Sequence, residues 1–308
     1  MLVTGGLGFI GSHLVEELLK KNHEVSIIDN LSSNVLQKDH YGSDAEIHIG
    51  NISDILFIER ICSQRKFDYI FHFAANVSVS ESVENDTLNF SSNVLGTYNV
   101  LKSAIKMKSD LILASTCTVY GSQNEMQVSE NSPTNPISPY GLSKLIDEQM
   151  CTSYARIYDI NTVALRFFNV YGSRQQRSVF YDFLKKYSQS EDGIKMLGTG
   201  NEIKDFINIK DVLKAIMLPL KNEKMWGDVF NVGTGKGTRI KDLLYLILTE
   251  MNKQRDILFS GHSWRGDVRE VYANIDKIKR YGFRPEIDLI SGIQELIGRT
   301  IKQTADIS

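Results

Sequence analysis

Thr4-Gly5-Gly6-Leu7-Gly8-Phe9-Ile10-Gly11-Ser12 follows a short apolar start and runs into a helical pattern from His13 to Lys21. A strand, a glycine turn and a helix in that order make a phosphate cradle. Gly5 and Gly8 permit a tight turn and close approach of a pyrophosphate, Gly11 lets helix and strand pack closely, and the helix amino terminus offers unpaired N–H groups to the anion. The strand before and the helix after speak against a merely structural turn.

Asp29 closes the next apolar run, where a carboxylate can accept hydrogen bonds from the adenosine ribose hydroxyls of a dinucleotide and would repel a ribose phosphate. Neither Arg nor Lys occurs at Asn30, Leu31, Ser32 or Ser33, so NAD is expected rather than NADP. Outward from this motif, apolar β-branched runs alternate with helical patterns. Leu2 to Thr4, Glu24 to Ile28, Glu46 to Ile49, Tyr69 to Phe73, Leu111 to Ala114 and Asn161 to Phe167 are the expected strands. Right-handed crossovers then give an α/β fold of Rossmann type, a doubly wound parallel sheet. The dinucleotide-binding domain is expected over residues 1–168, with segments at about 204–228 returning to it. A smaller, loop-rich lobe is expected mainly over 169–308, marked by turn-forming stretches such as Gly198-Thr199-Gly200-Asn201 and Gly233-Thr234-Gly235-Lys236-Gly237. The cleft between the two is the expected site.

Two long helices, Asn89 to Lys106 and about Pro139 to Ile157, carry apolar residues on more than one face. Val94, Leu95, Val100, Leu101 and Ile105 mostly suit packing on the sheet, with the remainder open to a homodimer seam. The chain has 308 residues, 35 basic and 37 acidic side chains and a formal charge of -2, so no broad cationic surface points to nucleic acid or to an anionic membrane. No apolar segment approaches the roughly 20 residues that span a bilayer. Three scattered cysteines, Cys62, Cys117 and Cys151, make neither a disulfide framework nor a metal site, and a reducing cytoplasm fits them.

Tyr140-Gly141-Leu142-Ser143-Lys144 sets a phenol and an ammonium one helical turn apart on one face. The motif lies beyond the fifth expected strand, at the sheet edge where such folds hold their ligand. The charges of Lys144 and of an oxidised nicotinamide would both stabilise a Tyr140 phenolate and suit it as a general base. Upstream, Ala114-Ser115-Thr116-Cys117-Thr118-Val119-Tyr120-Gly121 brings hydroxyls to the same edge. Cys117 has no histidine near it in sequence to activate a thiolate, so a small apolar filler is the expected role. His13 and His72 read as packing residues.

The GxxGxxG spacing resembles the short-chain dehydrogenase/reductase superfamily, and further segments extend the likeness over nearly the whole chain. Together they are similar to the extended type, the NAD-dependent epimerase/dehydratase family, and most similar to its UDP-glucose 4-epimerases. By that resemblance Gly5, Gly8, Phe9, Ile10, Gly11, Asp29 and Asn30 hold NAD. Gly50-Asn51-Ile52 looks like the adenine turn, with Asn51 where Asp is usual, and Phe73-Ala74-Ala75-Asn76 lines the cofactor's diphosphate side. Asn93 matches a central structural asparagine near the cofactor, while Tyr140 and Lys144 both act and touch NAD. Matching at Val119-Tyr120-Gly121 assigns the catalytic hydroxyl to Thr116, with Ser115 and Thr118 as second choices. For the substrate, the likeness implicates Ser78, Thr118, Asn169 in Arg166-Phe167-Phe168-Asn169-Val170-Tyr171-Gly172, and Val179. It also implicates Lys204 where Arg is common, and Arg265 and Asp267 in Trp264-Arg265-Gly266-Asp267-Val268, an RxGD-like element with its Arg one residue late. Val271 falls at the gate beside a sugar N-acetyl group and is smaller than a tyrosine.

The implied reaction is 4-epimerisation of a nucleotide sugar, UDP-glucose and UDP-galactose, through a transient 4-keto sugar, with no metal. A 4,6-dehydratase needs an extra acid and base where this chain has Cys117 and Thr118, which demotes that chemistry. Epimerases of N-acetylhexosamine or uronate nucleotides, decarboxylases and a non-catalytic NAD-sensing protein stand as alternatives.

Overall fold

The computed structural model describes every residue except 34, 38, 190–192 and 306–308, and for 299–305 the backbone alone. The last three residues of the expected second lobe therefore lie outside the described residues. Seven parallel strands form the central sheet: β1 (Leu2–Thr4), β2 (Ser26–Asp29), β3 (Glu46–Ile49), β4 (Tyr69–His72), β5 (Asp110–Thr116), β6 (Thr162–Phe167) and β7 (Val229–Val232). Their spatial order is β7-β6-β5-β4-β1-β2-β3. The order reverses between β1 and β4, and a crevice opens at the carboxyl ends of strands where such a reversal occurs.

Alternation along the strands divides the core between the two faces. Val3, Ile27, Phe71 and Ile112 pack on one side with Leu14, Val15 and Leu18 of helix Phe9–Lys20 and Val212, Ala215 and Ile216 of helix Ile209–Met217. Their neighbours Leu2, Ile28, Ile70 and Leu111 pack on the other with Ile58, Val100, Leu101, Ala104 and Cys151. Both faces being covered explains why the strands read as apolar runs rather than as apolar and polar by turns.

Six strands coincide with the expected ones to within two residues at each end, and β7 had no counterpart among them. The chain returns to the nucleotide-binding sheet through helix Ile209–Met217 and then β7, which starts just past the expected 204–228 segment. The second lobe holds a third apolar cluster around Phe183, Ile194, Leu243, Leu244 and Ile247. Its four-stranded sheet joins Thr238–Arg239, Ile203–Lys204, Glu270–Ala273 and Gln127–Val128, so a piece of the first half is woven into it.

The helix expected from Asn89 begins as Asp86–Phe90, passes through a π turn at Ser91–Leu95 and continues as Gly96–Met107. Asn93 sits in that turn. Its Oδ1 accepts from Asn76 N at 2.7 Å, and its Nδ2 donates to Asn76 O at 3.1 Å and to Ser143 Oγ at 2.9 Å. One buried amide thereby ties the loop after β4 to helix Pro139–Tyr158.

Candidate active site

A cleft of about 880 Å³ crosses the carboxyl ends of the central strands and is closed on its far side by the second lobe. One end is the glycine turn. Gly5 has φ +72°, a conformation L residues avoid, and a Cβ there would lie 2.7 Å from Ala74 N. At Gly11 a Cβ would run into the Gly5 carbonyl, which fixes why helix and turn can meet only here. No side chain caps helix Phe9–Lys20, so the first-turn N–H groups behind Gly8 remain for an anion. Asp29 accepts from Leu7 N at 2.9 Å and from Leu31 N at 2.8 Å. Burial pushes its carboxyl above the usual range, and those N–H groups pull it back.

Gly5, Gly8, Phe9, Ile10, Gly11, Asp29, Asn30, Asn51, Ile52, Phe73, Ala74 and Ala75 all line this cleft. Asn93 does not; it lies beneath, fully buried, holding the wall together. These features fit a dinucleotide: donors at one helix end for its pyrophosphate, a carboxylate at the end of β2 for a ribose, and a cradle that a side chain would fill.

At the other end, β5 delivers Thr116 and helix Pro139–Tyr158 delivers Tyr140 and Lys144 to the same wall. Ser138 caps that helix through Gly141 N at 3.1 Å and Pro139 opens it, which aims its first turn across the end of β5. Thr118 donates to Thr116 Oγ1 from both its N–H and its hydroxyl, each at 3.2 Å. The Tyr140 side chain is half-buried. Desolvation at its phenol pushes the pKa well above the ordinary value against the pull of the Thr116 hydroxyl, while Cys117 and the charge of Asp147 add to the rise. Lys144 alone does not make a phenolate here, because its Nζ is paired with Asp147 Oδ2 at 2.8 Å.

The remaining residues sort by position. Cys117 is buried and its thiol is pushed up to about 11 by that burial, the state of a filler and not of a nucleophile. Asn169, Val179, Lys204, Asp267, Val271 and Thr118 line the cleft from the second lobe and the β5 end. Lys204 Nζ donates to Asp267 Oδ1 at 2.8 Å and also to Val268 O, so cation and carboxylate compensate one another on that wall.

Two residues are placed otherwise than the likeness implied. Ser78 is outside the cleft lining; its hydroxyl caps helix Val79–Glu84 through Glu81 N at 3.2 Å. Arg265 lines a second depression beside the cleft, together with Trp264 and Asp267, and of the two adjacent side chains only Trp264 also lines the cleft itself. His13 and His72 do more than pack. His13 lies between Phe9 O at 2.9 Å and Ser173 Oγ at 3.0 Å, fastening the loop after residues Asn169–Tyr171 to the first helix. His72 joins Thr4 and Thr97 in a buried polar chain.

Residues 1–233 match the NAD dependent epimerase/dehydratase family. The chain belongs to that family. A Methanocaldococcus jannaschii protein provisionally named a UDP-glucose 4-epimerase is 37% identical over 305 residues, covering 96% of this chain and 97% of that one. Among solved structures, a UDP-glucose 4-epimerase of Thermotoga maritima with UDP-glucose superposes with a TM-score of 0.90 at 31% identity, over 97% of this chain and 99% of that one. A UDP-N-acetylglucosamine 4-epimerase of Methanobrevibacter ruminantium M1, in complex with UDP-N-acetylmuramic acid, does so at 0.86 and 29%, over 97% and 98%. As a member of this NAD-dependent family the chain uses NAD, and it is an enzyme of the extended short-chain dehydrogenase type. Among its described residues no helix is long and apolar enough to cross a membrane.

Proposed function

We propose that this family member is a UDP-hexose 4-epimerase interconverting UDP-glucose and UDP-galactose. The observation that carries the reading is the meeting of Thr116, Tyr140 and Lys144 on one wall of a cleft whose opposite end is built for a dinucleotide. NAD, when bound, supplies the acceptor and donor of the hydride at sugar C4. Tyr140 takes the proton from the 4-hydroxyl and later returns it, which needs a phenol whose pKa falls once positive charge is beside it. Thr116 holds the same sugar oxygen by a hydrogen bond, and Lys144 supplies positive charge and donors to the cofactor side. The sugar passes through a 4-keto form and turns before its oxygen is reprotonated. Asn169, Val179, Lys204 and Asp267 form the anchoring side for the nucleotide, with Trp264 as an additional wall that the RxGD likeness did not indicate.

Val271, buried at 1% exposure, lines the cleft with a small side chain, which supports acceptance of N-acetylhexosamine nucleotides as well. Nuclear magnetic resonance of the anomeric protons tests both readings. Purified protein with UDP-galactose and no added cofactor should yield UDP-glucose, and UDP-N-acetylglucosamine should yield its 4-epimer. Failure with both sugars when NAD is added would overturn the epimerase reading.

A further inference from the structure

Tyr140, Lys144 and Asp147 stand at i, i+4 and i+7 of helix Pro139–Tyr158, one stripe of its surface. Only the first two reach the cleft. Asp147 lies behind them, its side chain 0% exposed and that of Lys144 2%. Asp147 Oδ2 receives Lys144 Nζ at 2.8 Å, while Oδ1 has no hydrogen-bond partner within reach among the described residues. For stability alone, an apolar side chain in place of half-satisfied buried charge would serve as well or better. The arrangement therefore points to a task performed on the lysine.

A polar chain backs the carboxylate. Burial pushes the Asp147 carboxyl above its usual range, and the Lys144 ammonium and then the Thr97 hydroxyl beside it pull it back. His72 Nε2 is 2.9 Å from Thr97 Oγ1, and His72 Nδ1 is 2.7 Å from Thr4 Oγ1, which accepts from Ala74 N at 3.2 Å. Burial, aided by the charge of Lys144, pushes the imidazole down to about 3, so the ring is neutral. A neutral ring donates from one nitrogen and accepts at the other, so Thr4, His72 and Thr97 form one hydrogen-bonded chain behind the ion pair.

We propose that Asp147 is a positioning residue, holding the Lys144 ammonium back against the helix and partly cancelling the positive charge that Lys144 presents to Tyr140. The proposal rests on the reading of Tyr140 and Lys144 as the acting pair. Tyr140 is faced by Thr116 and Cys117 from the end of β5, by Ser82 of helix Val79–Glu84 beneath its backbone, and by the charge of Asp147 from its own helix, with Lys144 lining the same cleft one turn along. Lys144 and Asp147 are faced in turn by His72, Thr97, Glu148 and Cys151. Both thiols are pushed above their ordinary range by burial, His72 is neutral, and Glu148 is paired with Arg166 at 2.7 Å. The charges left to bias the phenol are those of Lys144 and Asp147. A lysine so restrained keeps Tyr140 protonated until the positively charged cofactor arrives, which couples the base to occupancy of the site.

The test is a spectroscopic titration of tyrosinate absorbance on the NAD-loaded protein, with Tyr140→Phe subtracted to isolate the one phenol. Asp147→Asn keeps the shape and removes the charge. The Tyr140 midpoint should fall by about one pH unit or more relative to the native chain, as expected when a nearby opposing charge is lost. An unchanged midpoint would overturn the proposal; if the amide variant does not fold, Asp147→Ala is read in the same way. The titration needs no substrate. Absence of epimerisation by the native chain would count against the functional reading, whereas an active enzyme with an unmoved titration would count against Asp147 alone.

Discussion

In the proposed reaction Tyr140 is the residue on which the chemistry turns, since it brings an ionisable oxygen into the cleft beside the Thr116 hydroxyl. Its replacement by phenylalanine should lower turnover by about 10²- to 10⁴-fold, the usual contribution of a positioned acid or base, while NAD titration shows undiminished binding. Equal loss of NAD binding would mean that the phenol holds the cofactor and does not move the proton. Tyr140 and Lys144 were legible in the sequence because i, i+4 spacing on a helix after a strand end is a strong geometric cue. Asp147 lies on the same stripe, yet in Asp147-Glu148-Gln149 it is indistinguishable from a solvated run; only packing reveals that it is buried. Trp264 escaped for a similar reason. Which of the adjacent Trp264 and Arg265 side chains reaches the cleft is not encoded in residue type.

Between elements, helix Pro139–Tyr158 is tied to the sheet by a buried network. Glu148 accepts from Arg166 Nε at 2.9 Å and Nη2 at 2.7 Å and also from the Ser115 hydroxyl, joining helix Pro139–Tyr158 to β6 and β5. Arg166 lies 4.8 Å over the Tyr120 ring, whose hydroxyl donates to Asn231 of β7 at 2.6 Å. Glu148→Ala leaves a guanidinium buried without its partner, and denaturant unfolding should show a loss of about 3–5 kcal/mol. A change within a few tenths of a kcal/mol would mean that the helix is held by apolar packing alone. The strands that positioned this network were mostly readable, because runs buried on both faces have a distinct composition. β7 was not, since Val229–Val232 is four residues with an asparagine inside it and is reached from the second lobe. Two-residue strands such as Gln127–Val128 and Thr238–Arg239 carry no periodicity to read at all.

Across the whole molecule, the two halves exchange segments, so the cleft is walled by one interlocked body whose nucleotide end and chemical end cannot be separated. An apolar surface runs outside it along the two long helices, with Leu95 46%, Leu142 42% and Ile157 68% exposed. Its pairing with a second copy is proposed as a homodimer seam, and sedimentation should give a dimer that Leu95→Glu converts to monomer; a native monomer at micromolar concentration would remove that reading. In the proposed reaction one site oxidises and re-reduces the same carbon. This is tested most directly with UDP-galactose carrying deuterium at sugar C4, incubated with the protein in ordinary water without added cofactor. UDP-glucose that keeps the deuterium at C4 is the expected product, whereas hydrogen at C4, or no product even with NAD supplied, would rule the reaction out.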